Sequence, residues 1–387
     1  MQQKKFSNYK LITGLVVEIA FVLLGVFLSI SYGSKSIPFS DVTGFFTGAL
    51  TDDFTSAVIS ARIPRTVFGL LAGAALGVSG ALMQAITRNP IADPSILGVN
   101  TGASLLVVIG IAYLNISSGI KLIGLSFTGA IITALFVYGI ASVGYGGANS
   151  IKLALAGAAV STALGALVNT IMLPDSQVMK EFRFWQVGSI SGATWDDVRL
   201  LIPFFVVGAG CALLCASPLN ALALGDEMAV SLGVKVGQIR LFTAFAGVLL
   251  CASVTALAGP IGFVGLMLPH VCRQLFDNDL RIIIPMSMIG GAGLLTFSDV
   301  LGRILGRSGE LEVGIITAIV GAPVFIWIVW KTKAKGPDGK VYEDDGWLFL
   351  LWDFSNPQQP QIHVRTWQPD EFVKERKDVF ELNDFKL

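Results

Sequence analysis

Residues 61–104 read ARIPRTVFGLLAGAALGVSGALMQAITRNPIADPSILGVNTGAS. Within this segment Gly69, Gly73 and Gly77 recur at every fourth position, which places them on one face of a helix. A helix face without side chains lets another backbone approach closely, and this is how helices associate inside a bilayer. The pattern therefore predicts a membrane-spanning helix that is buried among other helices.

Prolines mark both ends of this predicted helix. Arg62 and Arg65 flank Pro64 at the start, and Pro90 and Pro94 interrupt the chain after the glycines. A proline removes a backbone donor and crowds the preceding turn, so the helix is expected to begin near residue 66. Breaks of this kind at membrane depth persist only where protein or a water-filled cavity surrounds them. They indicate functional architecture.

The composition of the whole chain agrees with a membrane protein. Hydrophobic residues make up 53% of the 387 residues, charged residues 14%, and the mean hydropathy is +0.71. Apolar runs long enough to cross a bilayer recur, and they predict an all-α polytopic protein with about ten spans. We place these spans at residues 11–31, 66–86, 96–114, 122–143, 151–173, 199–216, 241–258, 261–276, 282–302 and 313–331. The net charge of zero suggests no nucleic-acid partner.

The charges next to the first and last spans predict the orientation. Lysines flank the apolar region on both sides: Lys4, Lys5, Lys10, Lys331, Lys333 and Lys335. By the positive-inside rule, both termini are expected in the cytoplasm. The first apolar run has no small-residue cleavage site, so we read it as a retained span and not as a signal peptide.

The composition changes abruptly near residue 335, which predicts a membrane domain at 1–335 and a cytoplasmic tail at 336–387. A turn at Gly339 and the stretch from Trp347 to Phe354 suggest a β-hairpin in the tail. A flexible tail, or a strand that docks on a partner, is the alternative.

The motifs that would indicate an enzyme are missing from the sequence. It has no GxxxxGK[ST] loop for ATP, and we find no catalytic set and no metal or cofactor site. The four cysteines lie in or beside apolar segments, and we treat them and His270 as structural. An ion-coupled secondary transporter remains an alternative, although only Glu18 and Asp299 could place a charge within the membrane.

Three blocks of sequence together resemble a known family. They are residues 61–104, GPIGFVGLMLPHVCR at 259–273 and SDVLGRILGRSGELEVGIITAIVGAPVFIW at 298–327. In this order they resemble the permeases of the iron-siderophore, haem and cobalamin ABC importers, a type II importer family. The family commonly has an acidic residue, leucine and proline before the last span, where this chain has Glu310, Leu311 and Glu312.

The resemblance implies a permease of the bacterial cytoplasmic membrane that translocates a ferric siderophore, with cobalamin or haem as alternatives. It implies three kinds of protein partner: a separate ABC ATPase, an extracytoplasmic substrate-binding lipoprotein, and a second permease chain that is identical or homologous. Membrane lipid surrounds the complex.

The resemblance also assigns a docking site for the binding protein to Arg62, Arg65 and Arg303, expected on the outer surface. Guanidinium groups bind carboxylates bidentately, which suits the glutamates of such a partner. The alternative is that the arginines reach lipid headgroups or pair internally with Asp299 or Glu310.

Two cytoplasmic sites follow from the same resemblance. Residues 218–240 are expected to form two short helices that couple to the ATPase, and a plain amphipathic interfacial stretch is the alternative. The predicted contact residues are Ala223, Leu224, Gly225, Asp226, Glu227, Ser231, Leu232 and Gly233. An inner gate is expected at Asn149, Ser150 and Ile151, for which a simple polar loop is the alternative.

Overall fold

The computed structural model describes residues 8–33, 35–116, 119–143, 150–276, 278–306, 309–331, 347–353 and 361–367. Within these ranges it has thirteen α-helices and two β-strands. The helices are α1 (Asn8–Ser31), α2 (Phe39–Thr47), α3 (Asp53–Thr87), α4 (Val99–Leu114), α5 (Gly119–Ser142), α6 (Ser150–Met172), α7 (Ser176–Gln186), α8 (Trp195–Ala223), α9 (Asp226–Ser231), α10 (Val236–Ala258), α11 (Val264–Leu275), α12 (Leu280–Gly306) and α13 (Val313–Lys331). A 3-10 turn at Pro94–Leu97 joins α3 to α4. The strands are β1 (Trp347–Asp353) and β2 (Gln361–Trp367).

The predicted all-helical membrane architecture is confirmed, since each predicted span coincides with one helix. Seven helices are long and apolar enough to cross a bilayer: α1, α3, α5, α6, α8, α10 and α12. Helix α4 and the described apolar part of α13 are shorter. Helices α2 and α7 were not predicted, because nine and eleven residues are too few to register as a span.

The predicted start of the glycine-rich helix at residue 66 is wrong. Helix α3 begins at Asp53 and runs for 35 residues through Pro64. Its first turn is capped by Asp52, whose side chain accepts a hydrogen bond from the Phe54 amide at 3.2 Å. A second hydrogen bond, from the Thr55 hydroxyl, lowers the pKa of Asp52. Pro64 therefore lies inside a helix that its cap and its packing neighbours stabilise.

Helix α3 is at the centre of the bundle. Its apolar stretch is mostly buried, as are those of α10 and α12, whereas little of the apolar stretches of α1 and α6 is buried. It packs most extensively against α12 and also contacts α8, α10 and α11. The prediction that this span is buried among other helices is confirmed.

The predicted glycine stripe explains how closely α3 approaches α12. A Cβ atom at Gly73 would collide with the carbonyl oxygen of Gly291, and one at Gly77 with that of Ser287. Both oxygens belong to the α12 backbone, so neither can move aside alone. Gly69 differs, since a Cβ there would lie 3.1 Å from the Cδ1 atom of the Ile190 side chain.

The described residues fall into two compact units, one ending at Phe325 and one starting at Ile326. In the second unit, β1 and β2 form an antiparallel pair in which Trp347 is opposite Trp367. The predicted strand near Trp347 is confirmed. Its partner lies downstream in the chain, and the turn predicted at Gly339 falls outside the described residues.

Candidate functional site

The first half of α3 contributes two arginines to a largely buried cluster of charges, which we call the arginine cluster (Arg62, Arg65, Asp299, Arg303 and Glu310). At its centre Arg65 donates to Asp299 from Nη2 at 2.7 Å and from Nε at 3.1 Å. Its remaining terminal nitrogen, Nη1, donates to Glu310 Oε2 at 2.9 Å. Arg303 Nη2 lies 2.8 Å from the other oxygen of Asp299. One carboxylate of α12 therefore binds two guanidinium groups.

The neighbouring helix α1 completes the cluster through its last turn. Arg303 also donates to the carbonyl oxygen of Ser29 at 2.9 Å and to its hydroxyl at 2.7 Å. Arg62 donates to the carbonyl oxygens of Ile30 at 2.8 Å and Lys35 at 2.6 Å. Its guanidinium is thus held by main-chain carbonyls, which accept hydrogen bonds but carry no full negative charge.

The expectation that these three arginines are exposed is wrong. Arg62, Arg65 and Arg303 are only 8%, 9% and 2% exposed. Arg62 and Arg65 lie well inside α3, and Arg303 lies in the last turn of α12. All three are therefore within the helix bundle, where burial requires internal partners. The alternative of internal pairing with Asp299 or Glu310 is observed for Arg65 and Arg303, whereas Arg62 binds main-chain carbonyls. The docking role stays a prediction.

The arginine cluster nevertheless keeps an excess of positive charge. It contains three guanidinium groups and two carboxylates. Its most accessible member is Glu310, whose side chain is 33% exposed and covers one nitrogen of Arg65. A carboxylate that approached from solvent would therefore meet Glu310 first, with a net positive charge behind it.

The other end of α3 meets the predicted coupling segment. Residues 65 and 88 are separated by a proline-free part of the chain, which spans about 35 Å at the rise of an α-helix. This distance is close to the hydrocarbon thickness of a bilayer, about 30 Å. At this end Arg88 Nη2 donates to Asp226 Oδ1, and Arg240 Nη2 donates to the same oxygen at 3.0 Å.

Only one of the two predicted short helices in the coupling segment is present. Helix α8 continues through Pro218 to Ala223, and α9 is the short helix between Gly225 and Gly233. Both glycines have positive φ angles, +117° and +82°, so they permit the sharp turns at either side.

The predicted contact residues of this segment divide into two groups. Asp226 is bound to two arginines of this chain itself. Ala229, in the middle of α9 and not among the predicted residues, is buried. The remaining predicted residues are exposed or half-buried: Ala223, Leu224, Gly225, Glu227, Ser231, Leu232 and Gly233. Apolar side chains dominate this exposed face, because Met228 and Val230 join Leu224 and Leu232 there.

The predicted gate lies only partly within the described residues. Asn149 is outside them, Ser150 is the first residue of α6, and Ile151 is exposed. The gating role of these three residues stays a prediction.

Sequence reasoning missed a second polar contact inside the bundle. Gln84 of α3 donates to the Leu266 carbonyl at 3.0 Å and accepts a hydrogen bond from Arg273. It therefore ties α3 to α11. A glutamine within an apolar, glycine-rich span was the available signal, since a polar side chain at that depth requires a partner.

A bundle of apolar spanning helices, with a long glycine-striped helix at its centre and charge clusters near both ends of that helix, is the architecture of a polytopic membrane protein. The chain matches the FecCD transport family over residues 21–331 and belongs to it. It is 41% identical to the ferric enterobactin transport system permease protein FepD of Escherichia coli (strain K12), over 81% of this chain and 94% of that one. It is 38% identical to the Fe(3+)-citrate import system permease protein YfmD of Bacillus subtilis (strain 168), over 85% and 98% of the two chains.

The fold agrees with a solved structure as well. An inward-facing metal-chelate type ABC transporter superposes with a TM-score of 0.72 at 26% identity, and the match covers 83% of this chain and all of that one. The protein is therefore an ABC importer permease of the type II fold, a class whose members are not themselves catalytic.

Proposed function

We propose that this permease translocates a ferric siderophore across the bacterial cytoplasmic membrane. The proposal rests on the substrates that appear in the names of the relatives of this chain. Ferric enterobactin, Fe(3+)-citrate and iron(3+)-hydroxamate permeases are 41%, 38% and 36% identical over more than four fifths of this chain. A cobalamin permease of Halobacterium salinarum is 39% identical over 71% of the chain, which makes cobalamin the second candidate.

Uptake in a deletion strain tests the cargo. Cells that lack this gene are expected to lose accumulation of radiolabelled ferric siderophore and to regain it with the wild-type chain, while cobalamin and haem uptake stay unchanged. Loss of cobalamin uptake with normal iron uptake would replace the siderophore by the second candidate.

The proposal includes three protein partners and an orientation. A separate ATPase supplies the energy at the end that carries α9, which faces the cytoplasm together with both termini. A substrate-binding lipoprotein docks at the opposite end, over the arginine cluster. A second permease chain, identical or homologous, completes the pathway.

In this proposal, alternating access links the end that carries the arginine cluster to the end that carries α9. A docked binding protein favours one arrangement of the helices and the nucleotide-bound ATPase favours the other, so each partner needs a difference in affinity of only a few kcal/mol. Helix α3 is suited to link the ends, because it carries Arg65 near one and Arg88 at the other.

Docking at the arginine cluster is tested by two substitutions that should shift the affinity of the binding protein for the permease in opposite directions. Glu310→Gln removes the accessible carboxylate that competes for Arg65, so the binding protein should bind more tightly. Arg62→Gln removes positive charge and should weaken binding by about tenfold, as expected for a lost charge-assisted bond. Affinities are measured with purified binding protein on permease in nanodiscs.

Arg199→Gln is the matched control for docking. Arg199 is exposed and pairs with Asp196 in the first turn of α8, outside the cluster, so its loss should leave the affinity unchanged. Shifts of the same sign for Glu310→Gln and Arg62→Gln would mean that the cluster serves stability alone.

The tail is expected to be dispensable for transport. The family match ends at residue 331, before the tail, and 81% and 85% of this chain suffice to cover 94% and 98% of the two iron-complex relatives. A chain truncated after residue 335 should therefore restore siderophore uptake to the deletion strain. Folded, membrane-inserted protein without uptake would instead give the tail a role in the transport cycle.

A further inference from the structure

Asp226 links three helices through one carboxylate. Its Oδ1 atom accepts hydrogen bonds from Arg88, the C-cap residue directly after α3, and from Arg240 in the second turn of α10. Asp226 itself is the first residue of α9. We call these three residues the Asp226 junction.

The Asp226 junction holds one side of α9 against the other helices of the chain. Helix α9 packs against α8 and α10, with Ala229 fully buried between them. The Arg88 ion pair adds α3, the central helix of the bundle. The opposite side of α9 presents exposed apolar residues, Leu224, Met228, Val230 and Leu232. One face of the segment is thus anchored, and the other is free to contact a partner.

The two halves of the junction differ in strength. The Arg240 side chain is only 7% exposed, so water reaches its pair with Asp226 from the side of the 45% exposed carboxylate alone. The Arg88 and Asp226 side chains are 35% and 45% exposed, and an ion pair with that access to water is weaker. The bond between Asp226 and Arg88 is therefore the one that a small displacement of α9 breaks more readily.

Arg88 is well placed to receive such a displacement. Its backbone has a φ of +49°, it ends α3, and the break at Asn89 and Pro90 follows directly. A shift of α9 would move Arg88 through its ion pair with Asp226, at the end of α3, where the chain already changes direction. Because α3 is continuous from Arg65 to Arg88, the shift would reach the arginine cluster about 35 Å away.

We propose that Asp226 is a positioning residue that passes movement of α9 to α3 and so couples the ATPase to the pathway. The inference rests on the proposed function, because it takes α9 as the segment that the ATPase moves. It also changes the role predicted for Asp226 from the sequence, from a contact of the ATPase to an internal link.

The test measures ATP hydrolysis and siderophore transport together, in proteoliposomes that contain the complete importer. Asp226→Asn and Arg88→Gln should both assemble with the ATPase and hydrolyse ATP. The amount transported per ATP should fall by about fivefold or more, the range of a typical coupling free energy. Asp226→Glu and Arg88→Lys keep the charges and should recover part of this ratio.

Asp196→Asn is the matched control for this ratio. Asp196 also lies in the first turn of a helix and pairs with an arginine, Arg199, but on the exposed start of α8. The amount of siderophore that Asp196→Asn transports per ATP hydrolysed should equal that of the wild type. If Asp226→Asn fails to assemble, Arg88→Gln decides the question, since it leaves the Arg240 pair in place.

Two results would overturn the inference, and they differ in what else they contradict. An unchanged ratio in Arg88→Gln, with wild-type transport driven by ATP, would reject the junction as a link and leave the proposed function intact. Wild-type transport that does not need ATP would reject both.

Discussion

Asp299→Ala is expected to lower the free energy of unfolding by about 3–5 kcal/mol, the cost of leaving a buried charge without its partner. The substitution removes the carboxylate that Arg65 and Arg303 share, and both arginines are less than a tenth exposed. Two guanidinium groups would then face each other inside the bundle. Denaturation of the purified protein in mixed micelles measures the effect.

Glu310→Ala provides the comparison within the same cluster. Among the residues that the structure describes, Glu310 forms an ion pair with Arg65 only, and a third of its side chain reaches solvent. Its removal should cost only about 1 kcal/mol or less, as for other solvent-accessible ion pairs. Equal losses in the two variants would show that Asp299 is not the centre of the cluster.

Gly77→Ala is expected to disrupt the contact between α3 and α12. The new methyl group would overlap the carbonyl oxygen of Ser287, which belongs to the α12 backbone. The two helices would have to separate, and overpacking of this kind costs about 1–3 kcal/mol, with more where a backbone must shift. A lower unfolding temperature of the purified protein, with less of it eluting as a single species, measures this loss.

Gly69→Ala is the control on the same helix face. A Cβ atom there would meet the end of the Ile190 side chain at 3.1 Å, and a side chain can rotate away. Its stability should fall much less than that of Gly77→Ala, because only the end of a side chain has to shift and no backbone atom does. If Gly77→Ala were tolerated equally well, the close approach of α3 and α12 would not limit stability.

The membrane architecture could be predicted from the sequence because each span leaves a local signal. An apolar run indicates a spanning helix, and the spacing of Gly73 and Gly77 indicates the face by which that helix packs. The start of α3 could not be predicted in this way, since Pro64 indicates a helix boundary locally and only the cap at Asp52 and the surrounding helices overrule it.

The charge partners were harder to predict because they depend on contacts between distant parts of the chain. Arg65 and Asp299 are 234 residues apart, and Arg88 and Asp226 are 138 apart. The resemblance to a permease family marked the arginines as functional, but it did not reveal their burial. Likewise, it placed Asp226 in the coupling segment without indicating that its carboxylate points back to α3 and α10.

ATP-driven accumulation of a ferric siderophore tests the proposed function most directly. The chain is copurified from native membranes with its partners and reconstituted into proteoliposomes with labelled substrate and the binding protein outside. We expect accumulation that requires hydrolysable ATP on the side of α9 and persists when ion gradients are collapsed. Accumulation that follows an ion gradient without ATP would contradict the importer mechanism and favour a secondary transporter.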